Sequence, residues 1–260
     1  MKGAFLITGT GGSMGIPVIG CSCDVCCSDN ARNQRMRSGC LVSVNSKKIL
    51  IDAGPELRQQ ALAFGIDSID ALFITHAHQD HVAGLDDLRP FFFRGRGPVP
   101  CYLLRETYED LAVRFGYIFK PGKETGTLLP KFSFEILEED RGRIDFEGIK
   151  IKYLTFSQAG MKVNGYRFGD LAYISDIKEY PDSIFDDLAG VKTLIVSALR
   201  KEPNPIHFTV DEAVAFAEKT EAEKTWLTHI AHELDHDKTN ASLPENIRMA
   251  YDGLELNFTM

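Results

Sequence analysis

Three of the seven histidines in this chain lie within THAHQDH, at positions 75–81, together with an aspartate. Alternation along an extended segment brings His76, His78 and Asp80 to related positions and turns His81 to the other side. Two imidazoles on one side, and a carboxylate with an imidazole on the other, can serve two neighbouring metal ions. Imidazole favours Zn²⁺, and the carboxylate also suits Mn²⁺. Two ions at roughly 3.5–4 Å can bridge a hydroxide and hold a phosphoryl group, so HxHxDH predicts a hydrolytic metal centre rather than a solvated loop.

A second cluster of metal-binding residue types is CSCDVCC, at positions 21–27. Cys21, Cys23 and Cys26 can surround one tetrahedral ion, for which a fourth ligand must come from elsewhere in the chain. Cys27 could take the place of Cys26. The alternatives to a metal site are a redox motif or idle buried thiols.

The six cysteines also bear on the cellular compartment. Those of the 21–27 cluster are too close together for a disulfide framework. Cys40 and Cys101 lie in strand-like runs, where we predict that they are small buried hydrophobes. Because a thiolate metal site needs reduced cysteines, we expect a reducing compartment and hence a cytoplasmic protein.

Short strands with helices between them must position these clusters. The predicted strands are FLIT (5–8), LVSV (41–44), KILIDA (48–53), ALFIT (71–75), VPCYLL (99–104), FSFEIL (132–137), IKIKYLTF (149–156), YRFG (166–169), LAYIS (171–175), TLIVSAL (193–199) and TWLTH (225–229). Helices are predicted from Pro55 to Gly65 and over 107–117. A third should start at Thr209, whose spacing to Glu212 fits a capping box.

A histidine or an aspartate directly follows three of these apolar strands. His76 follows ALFIT, Asp176 follows AYIS, and His229 follows TWLT. Polar side chains at the ends of apolar strands predict one site at a common edge of a sheet.

Composition limits the classes of partner. The 260 residues suffice for one sizeable core, and we expect a single domain over residues 1–260. A net charge of −8 gives no general attraction to nucleic acid or to anionic membranes. No apolar run is long enough for a transmembrane helix.

HxHxDH resembles the signature of the metallo-β-lactamase superfamily. GTGGSMGIPVIGCSCDVC, IDAGPELRQQ, GLDDLRPF, GYRFGD and THIAHELDH with LPENIRMAYDGLEL look like one branch of it. That branch is similar to phosphoribosyl 1,2-cyclic phosphate phosphodiesterase, an enzyme of phosphonate breakdown, over nearly the whole chain. The resemblance implies an α/β fold, a four-layer αββα sandwich with metals at one edge of the packed sheets. The residue pattern alone predicts only mixed α and β structure with a metal site.

The resemblance implies six active-site metal ligands: His76, His78, Asp80, His81, Asp176 and His229. The first two would bind one ion, and the next two with His229 a second. Asp176 would bridge both ions, since each carboxylate oxygen can serve one cation. Without the resemblance, Asp176 is also interpretable as a turn-capping aspartate, and His229 as a strand-end histidine with an ordinary hydrogen bond.

One further ligand of related enzymes has no counterpart here. They supply a histidine to the first metal seven residues before the glycine of a GYR motif, and that position is Gln158 in this chain. A glutamine carbonyl is neutral and favours harder metals than zinc. Three outcomes stay open: a weak Gln158 ligand with a labile first site, a centre with a single ion, or an impaired enzyme retained for binding.

The resemblance also completes the cysteine cluster. It assigns the fourth ligand to His232, three residues after His229, so that Cys21, Cys23, Cys26 and His232 would hold one Zn²⁺. Four protein ligands leave no open position, and this zinc would be structural.

The predicted activity is metal-dependent hydrolysis of a small cyclic or nucleotide-like phosphodiester by a metal-bound hydroxide. The predicted active-site ions are one or two Zn²⁺ or Mn²⁺. Asp80 would orient the hydroxide, and His207 would donate a proton to the leaving oxygen or hydrogen-bond the phosphate. His207 is also interpretable as an ordinary histidine before a helix, and His236 as either a pocket residue or an exposed one.

Two other functions are open at this point. The chain could be an RNA-processing nuclease of the same superfamily, although its acidity and the absence of an inserted arm argue against nucleic acid. It could also be a catalytically weakened binding protein, because of Gln158. A small phosphodiester is the expected partner, no membrane partner is expected, and a homodimer is plausible on general grounds.

Overall fold

The computed structural model describes residues 1–92, 97–119 and 128–260. In this part of the chain two seven-stranded sheets face each other. The strands of the first sheet are β1 (Lys2–Gly9), β2 (Gly39–Val44), β3 (Lys47–Ile51), β4 (Ala71–Phe73), β5 (Val99–Leu104), β6 (Phe132–Leu137) and β14 (Leu254–Thr259). Those of the second are β7 (Arg141–Phe146), β8 (Ile149–Gln158), β9 (Met161–Phe168), β10 (Leu171–Ile174), β11 (Thr193–Ser197), β12 (Lys224–Thr228) and β13 (Ile247–Met249).

Short helices connect the strands. They are α1 (Leu57–Ala63), α2 (Gln79–Val82), α3 (Arg89–Phe92), α4 (Arg105–Arg114), α5 (Gly116–Phe119), α6 (Ile184–Leu188), α7 (Val210–Thr220) and α8 (His236–Ser242), with 3₁₀ helices at Ala31–Asn33 and Leu85–Leu88. The capping box predicted at Thr209 is present, because its side chain accepts from the Glu212 backbone and Glu212 accepts from the Thr209 backbone.

Three apolar clusters show that the fold has four layers. One cluster lies between the sheets and includes Phe5, Phe73, Tyr166 and Tyr173. A second joins the first sheet to α1, α4 and α5, and a third joins the second sheet to α6 and α7. Helix, sheet, sheet and helix therefore stack in that order, which confirms the predicted αββα sandwich.

Successive residues of a single strand contribute side chains to two different clusters. In β11, Ile195 faces the other sheet while Leu194 and Val196 face the helices. In β3, Ile49 and Ile51 face the other sheet while Leu50 faces α1. Because successive side chains point to opposite faces, a strand with helices on one side and a sheet on the other is apolar throughout.

The sheet order places the ends of parallel strands at one edge. The first sheet runs β14-β1-β2-β3-β4-β5-β6, with β3 to β6 parallel. The second runs β13-β12-β11-β10-β9-β8-β7, with β10 to β13 parallel. Ligands in open α/β sheets bind beyond the carboxyl ends of such strands, and the predicted site residues follow β4, β10 and β12.

Several predicted boundaries differ from the structure. The strands predicted over 48–53 and 71–75 end earlier, at Ile51 and Phe73, because the chain turns there into the site. The helix expected from Pro55 begins at Leu57, and the helix over 107–117 is two helices, α4 and α5. No pattern predicted β7, β13, β14, α6 or α8. In the described ranges, no helix is long and apolar enough to cross a membrane.

Candidate metal centre

Four candidate site residues lie within three positions of the ends of parallel strands. Asp52 directly follows β3 and Asp176 lies two residues after β10, while His229 directly follows β12 and His76 lies three residues after β4. The φ angles of Asp52, Asp176 and His229 are 62°, 59° and 55°. This left-handed conformation is uncommon for residues other than glycine and clusters at functional sites. It turns each side chain out of its sheet at the same edge.

The histidine motif bends at His78, which caps the short helix α2. Asp80 and His81 lie on that helix and face back toward the sheet edge. The bend packs tightly against the loop after β3: the Ala53 N–H donates to the His81 carbonyl at 2.7 Å. A Cβ at Gly54 would lie 2.4 Å from the Asp80 carbonyl oxygen, so only glycine permits this approach.

Carboxylates and imidazoles converge from both sheets. His81 Nε2 lies 3.3 Å from Asp176 Oδ2 and 3.5 Å from Asp80 Oδ2. His229 Nε2 lies 3.2 Å from Asp176 Oδ1 and 3.3 Å from Asp80 Oδ2. The two oxygens of Asp176 thus contact different histidines, both of them predicted ligands of the second ion. Asp176 also forms a compact group with His76, a predicted ligand of the first ion, and its bridging role stays a prediction.

These separations fit a metal ion. Two ligands of a tetrahedral zinc, each at about 2.0–2.1 Å, lie roughly 3.3 Å apart. His81 Nε2 is also buried without a hydrogen-bond partner, an arrangement that a cation at that position would satisfy. Three overlapping groups have ligand atoms within 4.8 Å of one another: His76, His81 and Asp176; Asp80, His81 and His229; Asp176, His207 and His229.

His76 and His78, the predicted ligands of the first ion, lie next to the other site residues but are less closely grouped with them. His76 Nε2 lies 3.0 Å from His78 Nδ1, and the His76 and His81 ring centroids are 4.2 Å apart. His78 does not belong to any of the three groups found among the described residues. The six predicted ligands therefore share one centre, with five of them in compact sets and His78 at its margin.

The carboxylates and imidazoles of this centre shift one another's pKa values. Burial would lower the pKa of His81, but the carboxylates of Asp176 and Asp52 raise it well above the ordinary value. Burial would raise the pKa of Asp176, but the positive charges of His229 and His81 bring it well below the ordinary value. A metal ligand must be deprotonated, so a cation entering here would displace protons from the imidazoles.

Asp52 is a candidate site residue that the sequence analysis did not identify. Its Oδ2 accepts from His81 Nδ1 at 2.7 Å, and its Oδ1 accepts from the Thr75 N–H at 2.8 Å. Such a partner fixes the tautomer and the orientation of a ligating histidine. The sequence contained a signal for this residue: Asp52 directly follows the apolar run KILI, just as Asp176 directly follows AYIS.

Gln158 and His207 are in contact beside Asp176. Gln158 is buried at the end of β8, and its Nε2 lies 2.9 Å from His207 Nδ1 and 3.4 Å from Asp176 Oδ1. Its Oε1 is buried without a partner. The His207 ring stacks on His229 with centroids 4.8 Å apart. Burial and the charge of His229 lower the pKa of His207 to about 4, so its imidazole is neutral near pH 7.

The cysteine cluster forms a compact site with His232. The sulfurs of Cys21, Cys23 and Cys26 lie 3.3, 3.4 and 3.5 Å from His232 Nδ1. Ligands around a tetrahedral zinc, with Zn–S about 2.3 Å and Zn–N about 2.0–2.1 Å, would show roughly 3.5 Å between sulfur and nitrogen. Cys27 is exposed and outside this group. The geometry therefore fits the predicted ligand set with Cys26.

Backbone N–H groups donate to two of the three sulfurs, and they favour the thiolate form at Cys23. The Cys26 N–H donates to Cys23 Sγ at 3.4 Å, and this hydrogen bond chiefly lowers the pKa of Cys23 to about 6. The Val18 N–H donates to Cys26 Sγ at 3.3 Å, but burial outweighs this hydrogen bond and raises the pKa of Cys26 to about 11. Cys40 and Cys101 are buried in the cores, as predicted.

His236 belongs to a different network. It is buried at the start of α8, where its Nδ1 accepts from Arg35 Nη2 at 3.0 Å. Arg35 Nη1 donates to Thr10 Oγ1 and to the Ala250 carbonyl, both at 2.7 Å. The interpretations of His236 as a pocket residue and as an exposed residue are therefore both wrong, because it is buried and lies outside the metal centre.

Comparisons with known proteins agree with this fold. The model of the beta-lactamase superfamily domain matches residues 47–230. A solved diphosphatase of the PhnP family is similar with a TM-score of 0.90 and 39% identity, covering 99% of this chain and 98% of that chain.

Two curated proteins are also similar. An octanoyltransferase of Porphyromonas gingivalis is 32% identical over 255 residues, and the chain spans half the length of that relative: 96% of this chain and 50% of that protein are covered. The anti-Pycsar protein Apyc1 of Paenibacillus harenae is 28% identical over 199 residues, covering 72% of this chain and 80% of that protein.

Proposed function

This chain belongs to the metallo-β-lactamase superfamily of metal-dependent hydrolases, and we propose that it hydrolyses a small phosphodiester, such as a cyclic or nucleotide-like phosphate. One observation carries the proposal. Histidine and aspartate ligand atoms from both sheets lie 3.2–3.5 Å apart at one edge. The similarity to the PhnP-family diphosphatase supports phosphate chemistry at that edge.

Two groups of residues would hold the divalent ions. Asp80, His81 and His229 would bind one, and His76 with His78 would bind the other. Asp176 would bridge them. When bound, such ions lower the pKa of a coordinated water and offset the negative charge of a phosphoryl group.

Gln158 makes the His76 side the weaker one. Its amide is neutral, and its Nε2 is oriented toward His207 and Asp176. With the amide rotated, Oε1 would face the centre as a weak oxygen ligand. We therefore expect tight binding of one ion beside His229 and labile binding of a second, with Zn²⁺ or Mn²⁺ as candidates.

Two side chains would act on the substrate. Asp80 has the more accessible carboxylate, 7% exposed against 1% for Asp176, and would accept a hydrogen bond from the attacking water and orient it. His207, whose imidazole is neutral near pH 7, would donate a ring N–H to a phosphate oxygen; the alternative role of protonating the leaving oxygen does not fit its lowered pKa.

The cysteine site would hold a structural zinc. Cys21, Cys23, Cys26 and His232 would fill all four positions, so the ion would not bind water or substrate. Its thiolates require reduced cysteines, which supports a cytoplasmic location. We propose a small molecule as the partner, since the net charge of −8 does not favour RNA.

The test is turnover of bis(p-nitrophenyl) phosphate by the purified chain with Zn²⁺ or Mn²⁺. We expect turnover that a chelator abolishes and that Asp80→Asn reduces by about 100-fold or more. Asp87→Asn makes the same chemical change on an exposed carboxylate and should be neutral. If bound metal gives no turnover, the chain is the binding protein that Gln158 also suggests. A mobility shift with transfer RNA would support the nuclease instead.

A further inference from the structure

A cavity of about 130 Å³ opens beside the metal centre and shares His207 with it. The turn at residues 12–15 forms one wall, and the segment from Leu199 to His207 forms another. Gly12 in that turn also borders the centre, because a Cβ there would lie 3.4 Å from the His229 ring. A substrate held at His229 and His207 would therefore extend into this cavity.

The walls of this cavity are mostly apolar. None of its lining residues that the structure describes is acidic. Pockets that hold the organic part of a small ligand are lined in this way, with a few polar groups among apolar side chains. The apolar lining residues are Met14, Val18, Leu199, Ile206, Ile230 and Ala231.

Three polar lining residues already have partners within the protein. Arg200 Nη1 lies 3.3 Å from Glu233 Oε1. Asn204 Oδ1 accepts from two backbone N–H groups of its own segment, at 2.8 and 3.1 Å. His232 Nδ1 lies 3.3–3.5 Å from the three sulfurs of the cysteine site. Because a polar ligand needs free partners when it leaves water, these walls favour an uncharged, apolar group.

Two of the apolar lining residues also reach solvent. Ile206 is 39% exposed and Met14 is 59% exposed, so both border the opening of the cavity. Exposed apolar side chains gathered at one concave site mark a ligand-binding groove. Met14 also lines a second groove, of about 490 Å³, so Ile206 is the more specific residue to change.

The volume limits the size of the group that enters. An apolar cavity of roughly 150 Å³ takes up a benzene molecule. The similar volume beside the metal centre therefore fits one six-membered ring or an equally small alkyl group. A fused double ring would project out of it.

We propose that this cavity, the Ile206 pocket, binds a small apolar ester group of the substrate, such as a phenyl ring, which stays on the phosphorus after hydrolysis. The inference rests on the proposed function and specifies its substrate class as phosphodiesters with one such group. A leaving group gains negative charge on its oxygen, and apolar walls do not stabilise charge. The pocket therefore suits the ester group that is retained.

The test compares two diesters with the same leaving group, phenyl p-nitrophenyl phosphate and methyl p-nitrophenyl phosphate, in the metal-loaded enzyme. In both, the oxygen of water bonds to phosphorus, the bond to p-nitrophenolate breaks, and the phenyl or methyl group stays on the product phosphate. Dividing each kcat/KM by the rate with hydroxide alone removes the intrinsic difference. The wild type should then prefer the phenyl ester by about 10- to 100-fold. A 1-naphthyl ester should be no better than the phenyl ester.

Variants of Ile206 locate that preference. Ile206→Ser should lower kcat/KM for the phenyl ester by about tenfold, because it removes part of an apolar wall. The methyl ester should stay within about twofold, which also reports an intact fold. Ile206→Val keeps an apolar side chain and should retain most of the preference. Ile19→Ser makes the same change at an isoleucine that is 99% exposed and outside the pocket, and it should change neither substrate.

The outcomes distinguish the two proposals. If the wild type hydrolyses both esters without preferring phenyl, or if Ile206→Ser affects both equally or neither, the Ile206 pocket is overturned and the proposed function stands. If the wild type with bound metal hydrolyses neither ester, both are overturned. A loss confined to the phenyl ester, absent from Ile19→Ser and largely restored in Ile206→Val, supports the pocket.

Discussion

The cysteine site and the histidine–aspartate centre lie close together but are built differently. The first takes three ligands from one short loop and a fourth from His232, and every position around an ion would be filled by protein. The second takes its candidate ligands from the ends of strands in both sheets, and Gln158 stands where the family resemblance leads us to expect a histidine. The two sites meet in one segment, because His229 and His232 are three residues apart.

From this comparison we infer that the chain holds a structural metal at one site and uses catalytic metals at the other. Three thiolates and an imidazole make a closed tetrahedral site, which is typical of structural zinc. Buried carboxylates shared between imidazoles leave positions for water and substrate, and they depend on outer partners such as Asp52 for orientation. Metal binding at the closed site should therefore tolerate changes elsewhere in the chain. Metal affinity and activity at the open site should respond to changes in its outer partners.

The sharpest way to separate the two sites is Asp176→Asn. Asp176 contacts both His81 and His229, so its loss should reduce bis(p-nitrophenyl) phosphate turnover by roughly 10³-fold, as for other groups that stabilise charge in a transition state. Elemental analysis should still find the zinc of the cysteine site. If that zinc were lost as well, the two sites would not be independent.

Cys23→Ser should instead affect the cysteine site, lowering zinc content and thermal stability. It removes the thiol with the lowered pKa, so we expect loss of one zinc per chain and a lower thermal midpoint. A loss of about 3 kcal/mol would correspond to roughly 6–12 °C for a chain of this size. Cys27→Ser is the control and should leave zinc content and midpoint unchanged, since Cys27 is exposed and outside the group. An equal effect of both variants would contradict the assigned ligand set.

Asp52→Asn tests the outer partner of His81. The amide can still accept a hydrogen bond but loses the charge, and we expect a 10- to 100-fold fall in metal affinity or activity. Metal titration of the apo enzyme, followed by kinetics, measures both. Unchanged affinity in this variant would mean that His81 is held by packing alone.

Of these variants, Gln158→His should have the smallest effect, and it tests why the open site binds its second ion weakly. A histidine would restore an imidazole on the His76 side, and we expect metal affinity at the weaker position to rise by about tenfold. Dialysed protein should then retain a second active-site ion, as counted by elemental analysis. Gln158→Leu is the matched variant without a ligand atom, and retention of two ions in that variant would show that position 158 does not limit binding.

The strand-end pattern predicted much of this site and could have predicted more. His76, Asp176 and His229 were found because each follows an apolar strand, and Asp52 obeys the same rule. The fold followed from the resemblance, since alternating apolar runs do not specify how two sheets stack.

Contacts between segments distant in the chain could not be predicted from the sequence. Gln158 meets His207 across 49 positions, and His236 meets Arg35 across 201. Such pairs depend on how the strands are ordered in space, and short-range periodicity carries no information about that order. The ends of β3 and β4 were missed for a related reason, because the site draws the chain out of the sheet before the apolar run stops.

The left-handed backbone at Asp52, Asp176 and His229 has a consequence for evolution. That conformation costs roughly 1–2 kcal/mol in any residue with a Cβ, and glycine would relieve it. Backbone strain alone would favour glycine at all three positions, whereas the contacts of Asp52 with Thr75 and His81, and of Asp176 with His229, require the side chains. These three sites mark where durability and activity compete within this fold.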